Sequence, residues 1–184
     1  MNYNLNLKDI VDRYSEPHRH YHNWNHIQYM LDKFNKIKNR EKIKGCIDKE
    51  AIYYAILFHD IIYDPKSKTN EEDSANYLKE VFDKLDDQDI SAKTIDIARY
   101  AIFASKNHLA EPYPVAYQTG IEIFLDLDLA ILAEPKLDVY KQYADNIRKE
   151  YYFVPDEEFR WHSMLSQHWL DVMVSLVNVF HMRD

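Results

Sequence analysis

Glycine is nearly absent, with two in 184 residues. Folds rich in tight turns need left-handed backbone positions that glycine takes at little steric cost, so a turn-rich β architecture is disfavoured. The same scarcity leaves no material for a Gly-rich phosphate loop, and nucleotide-binding folds of that type drop out. The one cysteine, Cys46, can form neither an intrachain disulfide nor a cysteine-built zinc site. Positive charge is in deficit: 23 Lys plus Arg face 31 Asp plus Glu, a net charge of −8. Bulk electrostatics therefore opposes a nucleic-acid backbone or an anionic membrane, and neither is an expected partner. No uninterrupted apolar run is long enough to span a bilayer, and the first residues lack the basic-then-apolar order of a secretion signal. A cytoplasmic location is the expectation.

What the chain does have is 46% apolar and 14% aromatic residues, enough to build a core. The length suits one domain over 1–184, and no repeat or linker divides it. Apolar spacing predicts an all-α fold. A short helix over 7–14 ends before Pro17, and a second over 22–37 places Ile27, Met30, Leu31, Phe34 and Ile37 at helical intervals. Residues 51–63 read as a buried helix interrupted only by His59-Asp60 and stopped by Asp64-Pro65, although periodicity alone also admits a strand there. Thr69 or Asn70 caps a helix to about Leu85 with an acidic first turn, and Ser91 caps another to about Ala104. Glu111-Pro112-Tyr113-Pro114 marks a loop. Helices over 121–133, 136–152 and 156–182 complete the pattern, with Trp161 and Trp169 read as core, helix-face packing or a partner surface.

Three places carry polar groups inside apolar faces. His59-Asp60 sits within an apolar run, where a buried carboxylate needs compensation from a metal ion or a hydrogen-bonded partner. His22 and His26 lie four apart, so on a helix they share one face, with His26 in line with Met30 and pointing inward. In Phe124-Leu125-Asp126-Leu127-Asp128-Leu129, helical geometry sends the two aspartates to different sides. Asp128 has only apolar neighbours one turn away and is the expected buried ligand; Asp126, beside Glu122, is the more solvated. Each feature alone has an ordinary reading as a satisfied core residue. Together they supply two imidazoles and two carboxylates, a set suited to a divalent metal: His26, His59, Asp60 and Asp128. That donor set does not choose among Mn, Fe, Co, Ni, Zn and Mg.

The order His26, then His59-Asp60, then Asp128 resembles the signature of the HD superfamily of metal-dependent phosphohydrolases. Arg19-His20-Tyr21-His22…His26-Ile27, Phe58-His59-Asp60, Asn70-Glu71…Ser74-Ala75 and Phe124–Leu129 resemble a bacterial branch of small predicted metal-dependent HD proteins. Tyr143 and Ile147-Arg148-Lys149-Glu150-Tyr151 extend that resemblance over most of the chain. The segment from Tyr21 to His26 is also similar to a motif of cyclic-nucleotide phosphodiesterases, in which the first histidine protonates the leaving oxygen and the second binds metal. Ile27 stands where that motif usually has Ala, and the chain is much shorter, so the substrate does not carry over.

The resemblance implies hydrolysis of a small phosphate ester, such as a nucleotide, by metal-activated water, with His22 as general acid and Asp60 in the catalytic centre. Arg19, His108 and Arg148 are the candidate substrate-binding residues, with Lys66 and Lys68 weaker ones; His108 is alternatively a ligand to a second metal. Glu71 is either a contact to a metal-bound water or an ordinary first-turn acid. Two other readings stay open: a nucleotide-binding regulatory module without turnover, and a di-iron oxygenase that would need His108 as an extra ligand. Homo-oligomerisation is left open by the sequence.

Overall fold

A computed structural model of the chain describes residues 5–40, 43, 45, 47–85, 90–109 and 113–159. The fold is all-α: among the described residues the regular elements are α-helices and one 3-10 helix, with no strand. They are α1 (Leu7–Arg13), α2 (Trp24–Ile37), α3 (Lys49–Phe58), α4 (Asn70–Lys84), α5 (Ala92–Ser105), α6 (Val115–Asp128), the 3-10 helix Leu129–Ala133, and α7 (Leu137–Glu150). The expected helix over 156–182 falls almost wholly outside the described residues, as do Trp161 and Trp169. No described helix is long and apolar enough to cross a membrane.

The chain divides into two compact units, Met1–Asp128 and Leu129–Asp184. The first is organised around α3, which packs against α2, α4, α5 and α6. That centrality matches its composition: Ala51, Ile52, Tyr54, Ala55, Ile56, Leu57 and Phe58 are all buried. Asp48 starts α3 by accepting from the backbone N–H groups of Glu50 and Ala51, and its second oxygen accepts from Thr94 Oγ1 of α5 at 2.8 Å. One carboxylate thus caps one helix and fastens it to the next. Ser91 caps α5 by accepting from Thr94 N–H, as its sequence position predicts. In the second unit, the 3-10 helix packs against α7.

Three elements depart from the helices expected. α2 begins at Trp24, capped by the Asn23 side chain, so His22 precedes the helix and does not sit on its face. α6 starts at Val115 and gives way to the 3-10 helix at Leu129, placing Asp128 at its C-terminus. α3 stops at Phe58, although Ile61, Ile62 and Tyr63 continue the apolar run.

The physical reason for that early stop lies in neighbouring side chains. Arg19 Nη1 donates to the Asp60 carbonyl at 2.6 Å and Nη2 to the Ile61 carbonyl at 3.1 Å. Ser74 Oγ donates to the Ile62 carbonyl and accepts from the Ile62 N–H. His18 Nε2 donates to the Tyr63 carbonyl at 2.9 Å, and Asn70 Nδ2 to the Asp64 carbonyl at 2.8 Å. Every backbone acceptor from 60 to 64 finds a side-chain donor, so the segment satisfies its polar groups without being helical.

Candidate metal centre

His26 comes from the first turn of α2, His59 is the residue that ends α3, Asp60 follows it, and Asp128 closes α6. Ligand atoms of His26, His59 and Asp128 all lie within 4.8 Å of one another, a group that could hold a metal ion. The two Nε2 atoms are 3.2 Å apart. Asp128 Oδ1 lies 3.2 Å from His26 Nε2 and 3.6 Å from His59 Nε2. Asp60 Oδ2 lies 2.9 Å from His59 Nε2 and 3.9 Å from His26 Nε2. Both imidazole side chains are 1% exposed, and the carboxylates 16% and 14%.

The donor chemistry fits a cation. His59 Nδ1 donates to the Ile56 carbonyl at 3.1 Å, which leaves the Nε2 lone pair directed into the cluster when the ring is neutral. His26 has no comparable outer support: its Nδ1 is buried without a hydrogen-bond partner among the described residues. Two carboxylates face two ring nitrogens in a largely dry space, and like-charged oxygens so placed require positive charge between them. Their location sharpens the need, since Asp60 and Asp128 stand at the C-terminal ends of α3 and α6, where the helix dipole already disfavours an anion.

Proton affinities show the same strain. Burial lowers the pKa of His26 despite the opposing pull of Asp128. At His59 burial also acts downward, yet Asp60 and Asp128 outweigh it and hold the imidazole well above its ordinary value. Burial would raise both carboxyls, but His59 and the surrounding imidazoles depress Asp60 and Asp128. In the metal-free protein a proton on His59 thus stands where a cation would neutralise the carboxylates.

Around this group stand other residues singled out in the sequence. His22 is half-buried, its ring 4.4 Å from that of Tyr63 and 6.2 Å from that of His26, so it flanks the cluster without being on α2. His108 reaches it from the α5–α6 loop, with Nε2 3.4 Å from Asp128 Oδ2, and its backbone is left-handed at φ 54°. Such a conformation in a non-glycine residue is uncommon and costs backbone energy. Asp126, two residues from Asp128, lies outside the ligand group. The Glu71 carboxyl is pushed up in pKa by burial and then by Asp60, which places it on the same side as the doublet.

Two candidate phosphate contacts are engaged elsewhere. The Arg19 side chain is fully buried and makes four hydrogen bonds, to Glu16, His22, Asp60 and Ile61. It therefore does not face a substrate. Arg148 folds back on the end of α7, donating to the Tyr151 and Val154 carbonyls and to Asp156. All three of its nitrogens serve that helix terminus, the usual role of a basic residue in a last turn. Lys66 has its backbone N–H on Asp64, and Lys68 offers its carbonyl to Lys106, which is also paired closely with Glu72.

His18, Ser74 and Tyr63 are missed by the sequence reading as parts of this region. Ser74 appears there only within the resemblance, and its sole other mark is a hydroxyl at an otherwise apolar helix position. No protein-family model matches the chain, and comparison with curated proteins and with solved structures likewise finds no match.

Proposed function

We propose that this chain is a metal-dependent phosphohydrolase of the HD type that cleaves a small phosphate ester, a nucleotide among the candidates. The observation that carries the reading is the convergence of His26, His59 and Asp128 within 4.8 Å, with Asp60 beside His59. Those four residues would hold the ion. When bound, a divalent cation supplies an acidified water and a positive contact for a phosphoryl oxygen.

The protein's own groups account for the rest of the chemistry. His22 stands beside the cluster, near enough to Asp60 for its charge to be felt there. As water's oxygen bonds to phosphorus and the ester P–O bond breaks, the His22 imidazolium gives its proton to the departing alkoxide. Tyr63, packed on the His22 ring, limits where that proton can be delivered. His108, on the outer oxygen of Asp128 and 28% exposed, is the group best placed to meet an incoming phosphate.

The test is elemental analysis of the purified protein beside His59→Ala, followed by a panel of phosphomonoesters and phosphodiesters. Near-stoichiometric metal in the wild type, lost in the variant, with turnover of a panel member, is the expected result. A wild type that takes up no divalent ion after addition would remove the hydrolytic reading. One specific contact favours a second reading: His108 beside Asp128 could extend the ligand set toward an iron centre for oxygen chemistry. Visible absorbance from bound iron, with no ester turnover, would select that alternative.

A further inference from the structure

We infer that Arg19 is a positioning residue, a buried guanidinium that sets His22 and Asp60 against each other. The inference rests on the hydrolytic reading only for what His22 does there; the geometry stands without it. Arg19 lies in the turn between α1 and α2, and its side chain is fully buried. A buried cation is normally held by a buried anion, yet among the described residues its only carboxylate partner, Glu16 at 2.9 Å, is 42% exposed. The other donors go to main-chain carbonyls of two segments far apart in sequence. Nη1 bridges them, donating to His22 at 3.0 Å and Asp60 at 2.6 Å, while Nη2 takes Ile61 at 3.1 Å.

The flat faces of the guanidinium are used as well. Its carbon lies 5.1 Å from the Tyr14 ring centroid and 5.4 Å from that of Tyr63. Tyr63 is the ring packed on His22. Arg19 thus holds His22 twice, through its carbonyl and through the aromatic ring beside its imidazole.

This divides the centre into two kinds of residue. His26, His59 and Asp128 are placed by α2, the end of α3 and α6, and none of the three is a hydrogen-bond partner of Arg19. His22 and Asp60 lie off the helices, and Arg19 is what their backbones share. Lysine cannot replace it, because three tetrahedrally arranged donors cannot serve four acceptors spread around a planar fork.

The experiment compares the full-length wild type with Arg19→Lys and with Arg19→Gln, which keeps a planar donor group. In the wild type, NMR should show slowly rotating Arg19 Nη protons and a cross-relaxation signal between the His22 and Tyr63 rings. In the variants that ring-to-ring signal should vanish while cobalt(II) uptake keeps its wild-type stoichiometry. Where a panel ester is turned over, kcat should fall about 100-fold with KM changed less than about threefold. A freely rotating guanidinium in the wild type would overturn the inference, as would an unchanged His22–Tyr63 signal in a folded variant. Failure of both variants to fold, or loss of cobalt uptake with the ring signal, would make Arg19 a strut of the whole unit instead. Absence of any ester turnover would count against the hydrolytic reading and leave the NMR and cobalt results to decide this one.

Discussion

Two imidazoles with Nε2 atoms 3.2 Å apart differ in their hold on a proton, because Asp60 and Asp128 outweigh burial at His59 and do not at His26. The consequence for stability follows from linkage. His59, raised above 6.5, contributes stability that is fully present below that pH and is lost as pH climbs through its folded value. His26, lowered from 6.5, works the other way: the unfolded chain binds its proton first, so stability falls as pH drops below 6.5. The aspartates, depressed from 3.8, lose their contribution only under stronger acid. Metal-free protein should therefore be most stable near pH 6.5, declining on both sides, as thermal unfolding across buffers would show. Divalent ions compete with the His59 proton, so the rise in Tm that they cause should widen from about pH 6 to about pH 8. A metal-free Tm still climbing at the alkaline end would contradict this assignment. The aspartates give a second test. Asp128→Asn should abolish metal uptake, whereas Asp126→Asn, outside the ligand group, should leave its stoichiometry intact. Asp128 joins the ligand group as expected, but not for the reason expected: α6 ends at it, Ile131 and Leu132 lie on the 3-10 helix, and both aspartates are half-buried. Burial of Arg19 is not legible in the sequence, because two of its four acceptors, the Asp60 and Ile61 carbonyls, lie some forty residues away and only the folded chain brings them to it.

At the level of elements, sequence periodicity located α1, α4, α5 and α7 closely, started α2 two residues early at His22, and misplaced the ends of α3 and α6. The error at α3 has a tertiary origin. A helix normally ends where its own residues fail it, through proline, glycine or a cap. α3 ends without such a signal, because Arg19, Ser74, His18 and Asn70 take the carbonyls that follow it. The doublet consequently turns out of the helix and presents Asp60 beside His59, instead of carrying it around the helix axis. α6 offers a direct stability test. Gly120 is buried in mid-helix, and a Cβ there would meet Ile52 Cδ1 at 4.0 Å, ordinary contact distance. Gly120→Ala should accordingly stabilise the protein by about 1 kcal/mol, through a less costly unfolded-to-helix transition. The urea midpoint measures it, and a lower midpoint would mean that α6 cannot accept even this contact.

For the molecule as a whole, the excess of acid sets a long-range condition on any anionic substrate. With a net charge of −8, a phosphate ester of the kind proposed would approach against a repulsive field, except where a cation held in the centre would draw it in. Screening shortens that field from about 20 Å at about 20 mM salt to about 7 Å at about 200 mM. kcat/KM should rise over this range, and more for a doubly charged monoester than for a singly charged diester. A fall with salt would point to a local basic surface that net charge conceals. The sequence conveyed the all-α class through its glycine poverty and its helical spacing, while the bracket around the doublet belonged to tertiary structure. That bracket also constrains how the chain can change. Five consecutive carbonyls, 60 to 64, are matched in order to donors on Arg19, Ser74, His18 and Asn70. Inserting or deleting one residue between Asp60 and Asp64 would turn several of those carbonyls away from their donors at once. Natural variants of this protein should therefore differ freely in the identity of exposed residues nearby while keeping this stretch at constant length, so that the spacing from His59 to Asn70 outlasts the residues between them.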